Sequence, residues 1–110
     1  MIPLKIPAVL LPHTITLRPF IGTGPYGDVH GDPVVIRRAF VEDRRRLVRS
    51  TTGEEVVSET TVRTRPREHI PVGSLVTVWA ETPHERTARV IIAALFDHPS
   101  SWTHVEVALA

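Results

Sequence analysis

Apolar and polar positions alternate with a period of two along most of the chain. His13-Thr-Ile-Thr-Leu-Arg18 sets Ile15 and Leu17 against threonines. Val34 to Asp43 is a β-branched run that turns charged at its end. From Val56 onward, Val56, Ser58, Thr60, Val62 and Thr64 share one face; Val57, Glu59, Thr61, Arg63 and Arg65 share the other. Leu75 to Trp79 is short and apolar. Ala88 to Phe96 is apolar on both faces and reads as the most buried strand. Thr103 to Leu109 alternates again, with Val105, Val107 and Leu109 inward and Glu106 outward. No window of eleven or more residues carries a capped helical stripe. The expectation is an all-β fold: a small β-barrel of about six to seven antiparallel strands, with a sandwich as the neighbouring architecture.

The punctuation between runs is turn chemistry. Ser50-Thr-Thr-Gly53 separates two extended segments, so Arg45–Arg49 and Glu55–Arg65 read as a hairpin within residues 44–65 that projects from the barrel. Arg45, Arg46 and Arg49 then lie near Glu54, Glu55 and Glu59, where opposite charges pair across strands. Gly22 to Pro33 reads as a glycine-rich loop, and Pro66 to Ser74 as a polar one. The predicted interior is Ile15, Leu17, Val34, Ile36, Phe40, Val62, Leu75, Val90, Ile92, Phe96, Val105 and Val107. Trp79 and Trp102, at strand ends, suit rim or interface positions.

Residues 1–12 are expected to form a separate, extended N-terminal arm, and residues 13–110 the barrel domain. The arm is apolar apart from Lys5 and broken by Pro3, Pro7 and Pro12. Its longest uninterrupted apolar stretch, Ala8 to Leu11, is too short for a signal peptide or a membrane span. The expectation is therefore an unexported chain with no membrane partner. The arm reads either as a loose tail or as a segment lying on a neighbouring subunit, because a monomer gains little by exposing Ile2, Leu4, Ile6 and Val9.

Composition narrows the chemistry. The 110 residues are 42% hydrophobic and 23% charged, which is one ordinary globular domain rather than a disordered chain. A net charge of +1 argues against a dedicated polyanion binder. With no cysteine, disulfide scaffolds, thiolate metal sites and cysteine nucleophiles are excluded. Gly22-Thr-Gly24-Pro-Tyr-Gly27 has dinucleotide-fingerprint spacing, but Asp28-Val-His-Gly31-Asp-Pro33 cannot start the helix that would hold a pyrophosphate. The histidines (His13, His30, His69, His84, His98 and His104) lack metal-ligand spacing. Serines lack an elbow, and the adjacent acids Glu42-Asp43 and Glu54-Glu55 point to opposite strand faces. No catalytic, metal or cofactor site is expected, and no enzymatic activity. Basic residues concentrate between Arg37 and Arg67, where all of them are arginine, which suits bidentate pairing at protein interfaces.

Tyr26-Gly-Asp-Val-His-Gly-Asp-Pro33, Val41-Glu-Asp-Arg-Arg-Arg-Leu-Val48 and Glu55-Val-Val-Ser-Glu-Thr-Thr-Val62, in that order, resemble head-to-tail stopper (head-closure) proteins of long-tailed actinobacteriophages. Ile70-Pro-Val-Gly-Ser-Leu-Val76 and His104-Val-Glu-Val-Ala-Leu109 extend the resemblance from about His13 to Leu109. It implies a virion protein of the neck, assembled in the host cytoplasm. Such subunits form a ring, sixfold or twelvefold, at the portal vertex. The ring meets the head-tail adaptor, the portal side and the tail, closes the channel after packaging, and touches DNA transiently without reading sequence. On that reading Arg44, Arg45, Arg46, Arg49, Glu54, Glu55 and Glu59 supply subunit or adaptor contacts. Gly22, Gly24, Tyr26, Gly27, Asp28 and Asp32 form one candidate channel loop, and Arg65 and Arg67 belong to a rival one. Two other readings remain open on the residues: another neck or tail ring such as a tail terminator, and a small barrel that binds single-stranded nucleic acid.

Overall fold

The computed structural model describes residues 8–96 and 103–110. A single 3-10 turn, Ala8–Leu10, leads into eight strands: β1 (His13–Arg18), β2 (Phe20–Gly24), β3 (Gly27–His30), β4 (Val34–Arg49), β5 (Glu55–Thr64), β6 (Leu75–Val78), β7 (Arg86–Phe96) and β8 (His104–Leu109). Six of them close an antiparallel barrel in the order β1-β4-β5-β8-β7-β6, with β6 returning to β1. The other two, β2 and β3, form a separate hairpin. There is no α-helix among the described residues. The all-β barrel follows from the period-two pattern, since each barrel strand turns alternate apolar side chains into one core. Residues 1–7 of the arm, and Trp102 and His98 in the β7–β8 connection, lie outside the described residues.

The core is built mainly from Ile15, Leu17, Ile36, Ala39, Val41, Val62, Ile70, Val76, Val78, Val90, Val107 and Leu109, all buried. Five expected members sit elsewhere. Val34 begins β4 and is exposed, and Leu75 is only half-buried while Val76 and Val78 turn inward. Phe40 lies partly exposed on the outer surface, because the β1–β4 register shifts between His13 and Ile15. One extra residue on β4 brings both Ile36 and Ala39 inward and so turns Phe40 out. Similarly, a register shift between Val90 and Ile92 leaves Ile92 half-buried and Phe96 exposed.

The inner face of β5 is largely polar yet buried: around Val62, the residues Ser58, Thr60 and Thr64 are inaccessible to solvent. Their hydroxyls have partners, as buried polar groups require. Ser58 donates to the Leu109 carbonyl at 3.0 Å, and Thr60 donates to Asp43 Oδ1 at 2.8 Å. Asp43 also accepts the indole N–H of Trp79 at 2.8 Å and faces Arg86 at 3.4 Å. It stands where the β4–β5 register shifts between Asp43 and Arg46, so this one carboxylate ties the bend in β4 to β5, to the end of β6 and to the start of β7. Trp79 also packs its ring edge-on against His13, centroids 4.9 Å apart, and His13 Nδ1 accepts the Val41 N–H.

The segment expected to be a glycine-rich loop is the β2–β3 hairpin. Gly24 pairs with Gly27 around Pro25-Tyr26, and Gly27 has φ +108°, a conformation glycine reaches without strain. The hairpin is pinned at both ends. At its base Gly31 N–H donates to the Pro19 carbonyl, Phe20 N–H donates to Ser74 Oγ, and His30 Nε2 lies 2.9 Å from the Gly73 carbonyl oxygen. Near its tip Asp28 pairs with Arg89 at 3.2 Å.

Candidate functional site

The β4–β5 hairpin is longer than the charge pattern suggests, because β4 starts at Val34 and runs without interruption to Arg49. Beyond Thr60, the last β5 residue paired with β8, the hairpin continues toward its tip with no strand beside β5 except β4 among the described residues. The tip is a tight turn. Ser50 N–H donates to the Glu54 carbonyl, Gly53 N–H donates to the Ser50 carbonyl, and Gly53 has φ +88°.

The charged residues expected to pair within this hairpin divide. Arg45 lies 3.5 Å from Glu59, both exposed. Arg49 pairs by register with Glu55, but its guanidinium donates to the Gly53 carbonyl. Arg46 departs from the expectation: it reaches across to Glu106 on β8 at 2.9 Å. The bend after Asp43 turns this part of β4 over the barrel's outer face, which removes Arg46 from the hairpin glutamates. Arg44, Glu54 and Glu55 form no ion pair among the described residues.

Glu106 gathers positive groups that sequence alone did not assign to it. Arg63 lies 3.5 Å away on the neighbouring strand, and the His104 ring 3.7 Å away. Partial burial pushes the Glu106 carboxyl up, but the Arg46 hydrogen bond and the charges of Arg63, Arg46 and His104 outweigh it. Its pKa is held below the usual carboxylate range. Aromatic rings flank this network: Arg63 sits 5.9 Å from the Phe40 ring centre, and Phe96 stacks on His104. Between the hairpin and the β7–β8 face lies a groove of about 360 Å³ lined by Arg46, Val48, Ile92, Phe96 and Ala108.

The two candidate channel segments differ in kind. In the β2–β3 hairpin Tyr26 is fully exposed at the tip, Gly22 and Gly24 lie in β2, Asp28 is engaged by Arg89, and Asp32 is exposed just beyond β3. In the second segment Arg67 pairs with its neighbour Glu68, whereas Arg65 is partly buried and its Nε has no hydrogen-bond partner among the described residues. The structure does not bring these two segments' charged groups together.

Several surface features carry no charge signal that would have found them. Leu47, on the arginine-rich end of β4, is 67% exposed, and Leu95 is 60% exposed at the end of β7. Neither belongs to the predicted interior, and a lone leucine in an alternating run carries no mark of an interface. Among the described residues no three histidines, aspartates or glutamates converge as metal ligands. No family model, curated protein or solved structure matches the chain.

Proposed function

We propose that the chain is a ring-forming neck protein of the head-to-tail stopper type. Copies of it would close the DNA channel at the portal vertex after packaging and join head to tail. The observation that carries the reading is the β4–β5 hairpin. It runs past the barrel wall with Leu47 exposed and Arg44 without a partner among the described residues. A solitary subunit leaves this mixed apolar and cationic strip in water; a neighbouring subunit or the adaptor would cover it. Ring subunits meet through two different lateral faces, so a projecting element on one side and a receiving surface on the other is the expected division. Channel DNA would touch such a ring only through sequence-independent contacts. A catalytic role finds less support, because the convergent charged cluster, Arg46–Glu106–Arg63, is occupied by its own pairing.

The test is to disrupt the coding sequence in the genome that carries it and to image the particles. The expected outcome is DNA-filled heads that lose their DNA and lack tails. Normal yields of tailed, filled particles would overturn the proposal.

A further inference from the structure

One strand of the closed barrel outruns its neighbour. β6 has only 4 residues, whereas the adjacent β7 has 11. β6 pairs with β7 from Val78–Arg86 to Leu75–Arg89, and backbone bonds from Gly73 and Ser74 extend the contact to Val90. Past that point, Ile92 to Phe96 pair with β8 on one side, and no strand pairs with them on the other among the described residues. An open strand edge of this kind is a template for another strand.

The open edge faces a groove rather than flat surface. A cavity of about 370 Å³ separates it from the 66–72 connection. Ile70, Pro71, Val72, Ala93, Leu95 and Val105 supply its apolar wall. Val72 and Leu95 are 37% and 60% exposed, so apolar surface lies open beside a strand edge that no other described strand pairs with. That combination fits an extended apolar peptide added as a strand, with backbone bonds giving affinity and alternate side chains filling the groove.

One segment of this chain has that form. In Met1-Ile-Pro-Leu-Lys-Ile-Pro7 the residues Ile2, Leu4 and Ile6 alternate with Pro3, Lys5 and Pro7. In a strand, alternate residues share both a side-chain face and a backbone edge. The even positions therefore combine every large apolar side chain from Ile2 to Ile6 with intact N–H donors. The odd positions combine the only charge with two prolines that cannot donate, which suits an edge facing away from the ladder. Ile2 to Ile6 is also as long as the open stretch from Ile92 to Phe96.

We infer that residues Ile2–Ile6 of one copy add as a strand to the open edge of β7 in the next copy, with Ile2, Leu4 and Ile6 in the groove and Lys5 in water. The second copy rests on the ring reading above. Each subunit then donates an arm and receives one, which is the head-to-tail arrangement that closes by rotation.

The absence of cysteine makes the test direct. Chains carrying Leu4→Cys and Leu95→Cys separately are mixed, oxidised mildly, and mapped by peptide mass spectrometry. Leu4→Cys mixed with Ile21→Cys, a surface position 68% exposed, is the control. The expected result is a cross-link between positions 4 and 95 of different chains, severalfold above the control. A yield equal to the control overturns the inference. So does a link that forms only inside a chain carrying both Leu4→Cys and Leu95→Cys, which puts the arm in its own groove. Light scattering on the same proteins reads ring formation separately. Rings without the cross-link remove the arm assignment and leave the ring; cross-linked chains that never close into a ring do the reverse.

Discussion

Glu106 illustrates how one side chain links folding to electrostatics. It sits on the outer face of β8, where Arg63 is its register partner and Arg46 arrives from the bent end of β4. Because its pKa is lowered in the folded chain, the unfolded state binds its proton more readily. The stabilisation is therefore fully present above the ordinary glutamate value of about 4.3, and is lost as pH falls through the lowered folded value. Urea denaturation followed from neutral pH downward is expected to show the midpoint dropping below about pH 4.3 more steeply in the wild-type chain than in Glu106→Gln. Equal slopes would mean that the Arg46 and Arg63 contacts add nothing to folding.

At the scale of elements, strand periodicity made most of the barrel legible and could not reveal where the period breaks. Ile15, Leu17, Val62, Val105 and Val107 are inward as their alternation requires. Three of the five misplaced residues follow irregularities: Phe40 follows the extra residue in β4, and Ile92 and Phe96 follow the shift in β7; Val34 and Leu75 instead stand at the first positions of β4 and β6. A bulge adds one residue without changing residue type, so it leaves little trace in a hydrophobic pattern. The β2–β3 hairpin was hidden for another reason: its glycines dilute the alternation that marks a strand, and contacts from Ser74, Gly73 and Arg89 hold it. The candidate interface was legible as an arginine-rich hairpin, but its internal pairing was not, because the bend after Asp43 sends Arg46 to β8. That bend also selects the better charge-reversal test. Arg46→Glu would place two carboxylates together at Glu106 and disturb the fold. Arg44→Glu with Arg45→Glu changes only exposed positions, where the cost is expected within about 0.5 kcal/mol plus the modest worth of one exposed ion pair. The double variant is expected to keep its denaturation midpoint and to lose most of its capacity to attach tails to filled heads, counted by electron microscopy. Unchanged attachment would clear this hairpin of an assembly role.

For the whole molecule, two leucines separate what holds one subunit together from what would join it to others. Leu109 is inaccessible to solvent at the seam of three strands: it pairs with Thr60 on β5 and Val90 on β7, and its carbonyl accepts the Ser58 hydroxyl. A closed barrel has a single core, so a cavity at this seam loosens β5, β7 and β8 together. Leu109→Ala is expected to cost about 2–5 kcal/mol, a large share of the roughly 5–15 kcal/mol that holds a domain folded. Leu47 has the same side chain but lies 67% exposed on the hairpin. Leu47→Ala removes little buried area from the lone chain, so its denaturation midpoint is expected to match the wild type. If the hairpin is an assembly surface, the same truncation removes a methyl-rich contact from an interface, where the central apolar anchors carry most of the energy. The two variants should then exchange phenotypes: Leu109→Ala unfolds early, while Leu47→Ala folds normally and assembles poorly at equal concentration. Full assembly by Leu47→Ala would leave the exposed leucine without a role at the interface, and would shift the search for the receiving surface to the open edge of β7.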